Sequence, residues 1–148
     1  MIHLTDQPLE PGELLTRFSA GRTETGAIAS FAGLARAEGG QARALILEAY
    51  PGFTEAAIAE FATAASTRFG LDDYGIWHRT GEIAPGETIV FVATAATHRR
   101  AAFEACDLLM DYLKSRAPFW KKELGPEGSR WIEPRAQDHI DLARWEKT

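Results

Sequence analysis

Thr88-Ile-Val-Phe-Val-Ala-Thr-Ala95 and, two residues on, His98-Arg-Arg-Ala-Ala-Phe-Glu-Ala-Cys-Asp-Leu-Leu-Met-Asp-Tyr-Leu-Lys-Ser-Arg116 decide the fold class. The first run is apolar and rich in β-branched residues, which predicts a strand. In the second, Phe103, Cys106, Leu109, Met110 and Leu113 fall three or four residues apart. That spacing predicts an amphipathic helix, closed by Pro118.

Working outward, Tyr74 to Arg79 reads as a further strand, separated from Thr88–Ala95 by Gly81-Glu-Ile-Ala-Pro-Gly86, whose Pro and Gly mark a turn. The two strands are expected to pair. Pro51-Gly52 breaks the chain before an Ala-rich helix that Thr54 and Glu55 open and Gly70 ends, with Ile58, Phe61, Ala62 and Ala65 at helical spacing. Upstream, Leu14 to Ser19 reads as a short helix, and Gly26 to Gly33 and Arg43 to Tyr50 as strands. Downstream, Phe119-Trp-Lys-Lys-Glu123 reads as irregular, Ser129 to Glu133 as a short strand, and Asp138 as the cap of a last helical turn running through Trp145. Strands and helices mix without a strict βαβ rhythm, so the expectation is an α+β domain in which helices cover a mainly antiparallel sheet.

The chain has 148 residues, 45% of them hydrophobic, enough to bury about two thirds of its unfolded surface in one core. A single domain over residues 1–148 is therefore expected. The formal net charge is −5, and neither disorder nor a fibrous repeat is indicated. No window approaches 18 uninterrupted apolar residues, and Met1 to Leu15 carries Asp6, Glu10 and Glu13 in place of a basic and then apolar leader. A cytoplasmic location, with no membrane attachment, is the expectation. From Thr97 to Lys122 there are six Lys/Arg against three Asp/Glu, a local +3 that leaves −8 elsewhere. An acidic chain with one basic segment suggests a small anionic ligand; a nucleic acid usually calls for a broad basic face.

Several chemistries lose their usual support because GxxxxGK[ST], GxGxxG, HExxH and GxSxG are all missing. His3, His78, His98 and His139 lack ligand spacing, so neither a metal nor a cofactor is expected. The lone Cys106 forbids an internal disulfide and falls mid-helix among apolar residues, where a thiol behaves as a small hydrophobe. Any sulfur this protein handles has to arrive on something else.

Thr97-His98-Arg99-Arg100 lies where a strand gives way to a helix, so free backbone N–H groups and cationic side chains converge. The alternative is that Thr97 caps the helix and the basic residues sit in solvent. Lys114 projects about 20° from Phe103 and about 40° from Met110 at 100° per residue, so it borders the buried face. It is either a partly desolvated nucleophile or base, or a lysine whose stem lies on the core with its ammonium in water. Lys121 and Lys122 follow Pro118-Phe-Trp, which sets aromatic walls beside two ammonium groups that depress each other if held close, or else forms a solvated loop. Arg36 ends a strand before Glu38-Gly-Gly40, a plausible phosphate clamp.

Taken together, several blocks resemble the MoaE family, the large subunit of molybdopterin synthase. They are Thr25-Gly-Ala-Ile-Ala-Ser-Phe-Ala-Gly33 with Arg36, Leu47-Glu-Ala-Tyr-Pro-Gly-Phe-Thr54, His78-Arg-Thr-Gly81, Thr97-His-Arg99, Phe103-Glu-Ala105 and Met110-Asp-Tyr-Leu-Lys-Ser-Arg-Ala-Pro-Phe-Trp-Lys-Lys-Glu123. The last block continues in Pro126-Glu-Gly128 and Arg130-Trp131, and the match spans most of the chain. The resemblance implies an α/β-hammerhead-type α+β fold, catalytic roles for Lys114 and Lys121, and substrate-binding roles for Arg36, His98, Arg99, Lys122 and Glu123. It further implies that a small ubiquitin-like carrier subunit, ending in a Gly-Gly thiocarboxylate, gives sulfur to cyclic pyranopterin monophosphate to build a dithiolene. The stretch Ala37-Glu-Gly-Gly40 is smaller and more acidic than the family pattern suggests.

His98 and Lys114 stand sixteen residues apart, about 24 Å on one helix. Either the helix is interrupted, or the site combines Lys114 and Lys121 of one chain with His98 and Arg99 of a two-fold related copy. The resemblance, which implies a homodimer inside a heterotetramer, favours the second. Two rival readings are a non-catalytic module that docks an acidic partner or a carrier-protein tail, and a single-stranded nucleic acid binder using Phe119, Trp120, Lys121 and Lys122.

Overall fold

A computed structural model describes residues 1–147. In chain order it contains β1 (Ile2–Thr5), α1 (Pro11–Ser19), β2 (Ala27–Leu34), β3 (Ala44–Ala49), α2 (Phe53–Phe69), β4 (Asp73–Arg79), β5 (Gly81–Ile83), β6 (Thr88–Ala96), α3 (Arg99–Ser115), β7 (Phe119–Gly125), β8 (Gly128–Ile132) and α4 (Ala136–Ala143), with short 3-10 turns at Glu38–Gly40 and Arg144–Lys147. The architecture is mixed α+β. The strands form two four-stranded sheets, ordered β1-β4-β6-β2 and β5-β3-β7-β8. Every pairing is antiparallel except β1 with β4.

The first sheet is covered on both faces, and its central strand reads accordingly as a nearly continuous apolar run. Along β6, Val90, Val92 and Ala96 turn toward α2 and α3, where they pack with Ile58, Ala62, Ile76, Ala102 and Leu109. The intervening Phe91, Ala93 and Ala95 turn the other way, onto Leu14 and Phe18 of α1 and onto Trp77. Thr94, buried among the first set, donates its hydroxyl to the Ala102 carbonyl at 2.7 Å, so its polar atom is satisfied. As expected, β4 and β6 pair, with Trp77 opposite Phe91.

The linker between them is more than a turn. Gly81–Ile83 leaves the first sheet and adds a short edge strand to the second, with Leu47 opposite Gly81 and Leu45 opposite Ile83. Gly81 makes the crossing at φ +80°, a region open to glycine. The second sheet closes over a small core of Ala35, Leu47, Ile83 and Ile89.

The largest departure from expectation is at Phe119 to Glu123, expected to be irregular: it belongs to β7, an inner strand between β3 and β8. Its alternation is hidden because Phe119, Lys121 and Glu123 share one face, and two of those three are charged. Thr54 ties its start to α2, accepting from the Tyr50 N–H at 2.8 Å and donating to the Pro118 carbonyl at 2.9 Å. Ile2–Thr5, which the sequence reading left without structure, is the parallel edge strand. Helix α1 begins earlier than expected, with Pro11 at its first position, where a missing N–H costs nothing.

Helix α3 runs unbroken over its 17 residues. Its buried face is built from Ala102, Ala105, Cys106, Leu109, Tyr112 and Leu113. Phe103, expected on that face, is 58% exposed, because nothing covers that side of the helix at its N-terminal half. Further along the same side, at Lys114, the second sheet and α4 stand opposite and form a wall. None of the helices in the described residues is long and apolar enough to cross a membrane.

Candidate active site

Between the two sheets, at the C-terminal end of α3, lies an open cleft of about 650 Å³. Its floor is apolar and includes Leu47, Ile83 and Met110. Charged side chains reach it from four directions: Lys114 from α3, Lys121 and Glu123 from β7, Arg36 from the segment after β2, and Arg130, Arg135 and Asp138 from the β8–α4 region. An apolar floor with a few convergent polar groups is the usual form of a small-molecule site.

The two lysines meet there. Desolvation by the surrounding walls, and after it the neighbouring Lys114 charge, lower the Lys121 ammonium to about 8, with Asp138 opposing both effects. Lys114 keeps contact with solvent, yet the concave wall around it also lowers its pKa, chiefly by desolvation, with Asp138 again opposing. At neutral pH the pair therefore sits closer to proton exchange than surface lysines do.

Asp138 is held where it can temper that charge. One carboxylate oxygen accepts the Arg135 backbone N–H at 2.9 Å, which caps α4 from within its first turn, and the other lies 3.5 Å from the Arg135 guanidinium. The helix starts earlier than Asp138 as its cap would imply: Arg135 is the N-cap, and Asp138, at the third helical position, also faces the cleft. Glu123 is likewise engaged, 3.3 Å from Arg130 across the β7–β8 pair. Arg135 carries no signal of its own in the sequence, and nothing in the spacing of Arg130 and Asp138 brings them to one cleft, because they come from separate elements.

Lys122 does not line the cleft. Strand alternation turns it to the opposite face, where its ammonium lies 5.4 Å from the Trp131 ring centre and Trp131 meets Trp120 edge to face. The expected grouping of Lys122 with Lys121 is thereby corrected.

His98 and Arg99 do not reach the cleft within one chain either. With Gly26, Thr97 and Arg100 they form a shallow, exposed pocket at the opposite end of α3. His98, not Thr97, is the N-cap, and no side chain caps the helix, so its first N–H groups are free and no acidic residue offsets the positive end. Gly26 makes this pocket possible: a Cβ there would come 2.1 Å from the Thr97 carbonyl oxygen. The unbroken helix removes the first of the two explanations offered for the sixteen-residue separation.

Cys106 is buried in the core, and its thiol is pushed up to about 12, first by burial and then by Asp107. It has no access to the cleft and no thiolate at neutral pH.

Comparison with known proteins identifies the family. The MoaE protein family profile matches residues 4–116. The chain belongs to the MoaE family. It is 71% identical over 147 residues to the molybdopterin synthase catalytic subunit of Caulobacter vibrioides, covering 99% of this chain and 98% of that one. Against the subunit of the same name from Escherichia coli it is 47% identical over 141 residues, covering 94% and 93%. Among solved structures, the molybdopterin biosynthesis MoaE protein from Burkholderia ambifaria superposes with a TM-score of 0.84 at 40% identity, covering 99% of this chain and 97% of that one. A chain from the complex of subunits 1 and 2 of molybdopterin-converting factor from Helicobacter pylori shares the fold, with a TM-score of 0.77 at 20% identity, covering 90% and 91%. This MoaE-family chain is thus an enzyme of molybdopterin synthesis, the route to the molybdenum cofactor.

Proposed function

We propose that the cleft is the site at which sulfur is transferred from a thiocarboxylate to cyclic pyranopterin monophosphate. The observation that carries this reading is the meeting of Lys114 and Lys121 over an apolar floor in a MoaE-family chain. A thiocarboxylate and a phosphate are both anionic, and the cleft gathers cations toward them: Arg36, Arg130 and Arg135 around the two lysines.

In this reading Lys114 contacts the terminal thioacid and the substrate, while Lys121, lowered to about 8, assists proton transfer as the thiocarboxylate sulfur bonds to a substrate carbon and displaces its oxygen, and as water then cleaves the acyl–sulfur bond to release the carrier as a carboxylate. Arg36 holds the phosphate, and Glu123 works through Arg130. The sulfur comes from a partner because Cys106 is sealed in the core. The Helicobacter pylori relative was solved as a complex of two subunits, which supports a small sulfur-carrier subunit with a Gly-Gly thiocarboxylate end as that partner.

His98 and Arg99 enter the same reaction from a second copy of the chain, so that a homodimer at the centre of a heterotetramer makes up the working enzyme, one domain per chain, in the cytoplasm. Support comes from the free helix N-terminus beside two cationic side chains, which suits a phosphate but cannot meet Lys114 of its own chain.

The test is to incubate the protein with thiocarboxylated carrier and cyclic pyranopterin monophosphate and to measure dithiolene product. Formation by wild type, with strong loss in Lys114→Ala and Lys121→Ala, is the expected result. Near-normal rates in both variants would sink the assignment.

A further inference from the structure

Of the four histidines, one lies against the cleft, and its ring is fixed on all sides but one. His78, near the end of β4, is only 5% exposed and lines the cleft that holds both lysines. It stacks on Phe119 with ring centres 4.2 Å apart and planes 20° from parallel. Its Nδ1 lies 2.9 Å from the Arg79 carbonyl oxygen. A carbonyl can only accept, so Nδ1 carries the hydrogen and donates it. In the neutral ring Nε2 then bears the lone pair. Among the described residues Nε2 has no hydrogen-bond partner, and it is not among the sealed, unpartnered atoms, of which Arg79 Nε is the one found. Its open side is the cleft.

The ring stays neutral under ordinary conditions: burial, and after it the Lys121 and Lys114 charges, lower its pKa to about 4 against the opposing hydrogen bond to the Arg79 carbonyl. The cleft thus contains cationic donors, the carboxylates of Glu123 and Asp138 beside arginines, and, in its buried wall, a neutral imidazole with an acceptor nitrogen.

We propose that His78 is a substrate-reading residue whose Nε2 accepts a hydrogen bond from an uncharged N–H of the bound heterocycle. This inference rests on the proposed substrate and adds its orientation. A phosphate or a carboxylate offers only acceptors and is repelled by a lone pair, so neither anionic end can sit at His78. A pterin ring system carries several N–H donors and fits. The ring end of the substrate therefore points to His78 and Phe119, and the phosphate lies away from them, held by Arg36. A buried acceptor that meets its donor also rejects ligands lacking that donor, which is how a single group confers specificity.

Two variants separate this role from a merely structural one. His78→Asn keeps an amide N–H near the position of Nδ1, able to serve the Arg79 carbonyl, and removes the acceptor facing the cleft. His78→Gln carries an amide oxygen near the position of Nε2. Calorimetric titration of cyclic pyranopterin monophosphate should give about 10-fold weaker binding by His78→Asn, with His78→Gln recovering to within about 3-fold of wild type. Inorganic phosphate, which has no ring, should bind all three alike. Equal binding of the pterin by wild type and His78→Asn, or equal loss in both variants, would overturn the role of His78 while leaving the function intact. No binding by wild type would instead overturn the functional reading, and this inference with it. A measurement on the unaltered protein covers the case in which a variant fails to fold: the 15N resonance of His78 Nε2 should shift on saturation with the pterin and not with phosphate, and no shift with the pterin contradicts the proposal.

Discussion

The two ends of α3 gather positive charge in opposite ways. At the C-terminal end, Lys114 and Lys121 sit in a walled cleft with Asp138 and an Arg130–Glu123 pair beside them, and their ammonium groups are pulled toward neutrality by desolvation. At the N-terminal end, Thr97 to Arg100 lie fully in the open, with no carboxylate in the first helical turn and free backbone N–H groups. The first arrangement makes a proton movable. The second makes an anion welcome. The contrast teaches that a count of basic residues, +3 over Thr97–Lys122, conceals two different chemistries divided by the length of a helix.

The sharpest way to break the comparison is to truncate one group at each end. Lys121→Ala is expected to lower kcat by about 10²–10⁴-fold, the range lost with a general acid or base. Arg99→Ala is expected to act mainly on KM, raising it by about 10–100-fold as a charge-assisted contact to phosphate is lost. Steady-state kinetics of dithiolene formation separates them. If Arg99→Ala lowers kcat with KM unchanged, the N-terminal end is doing chemistry and the contrast fails.

Acidity probes the difference without mutation. Lys121 has its pKa lowered to about 8, so the fraction of neutral amine rises with pH and approaches its limit above that value. kcat/KM, which reports the free enzyme, should climb about tenfold per pH unit below 8 and flatten above it. Lys121→Arg should abolish the limb, since a guanidinium does not deprotonate in this range. A limb that persists in this variant assigns the titration to another group.

The smallest effect is predicted for Lys122→Ala. It removes a cation resting on Trp131, worth about 0.5–1 kcal/mol at an exposed site, and should leave kcat and KM within about twofold of wild type. A large loss would mean that the outer face of β7 takes part in the reaction.

Legibility in the sequence followed burial. β6 and α3 could be read directly because their residues answer to one requirement, covering apolar surface, and so carried a run and a period. β7 could not. Its cleft-facing positions are Phe119, Lys121 and Glu123, chosen for the site and not for the core, which erased the alternation that would have revealed a strand. The same erasure turned Lys122, a neighbour in sequence, into an apparent neighbour in space. Phe103 misled in the other direction: a large apolar residue at the right helical spacing suggested a buried face, and only tertiary structure tells which part of that face is covered. The place of His78 and Asp138 at the cleft is not legible in the sequence, because each reaches it through contacts with distant elements, which spacing along the chain cannot express.

The central claim is that both ends of α3 serve one reaction, across two copies of the chain. Co-assembling inactive Lys114→Ala protein with His98→Ala protein, and assaying purified mixed dimers for dithiolene product at a substrate concentration too low for the His98→Ala parent to turn over, tests it most directly. Each mixed dimer would contain one intact site and one doubly altered site, so the account predicts recovery to about half the wild-type rate per dimer. Mixed dimers that remain as inactive as either parent would contradict it.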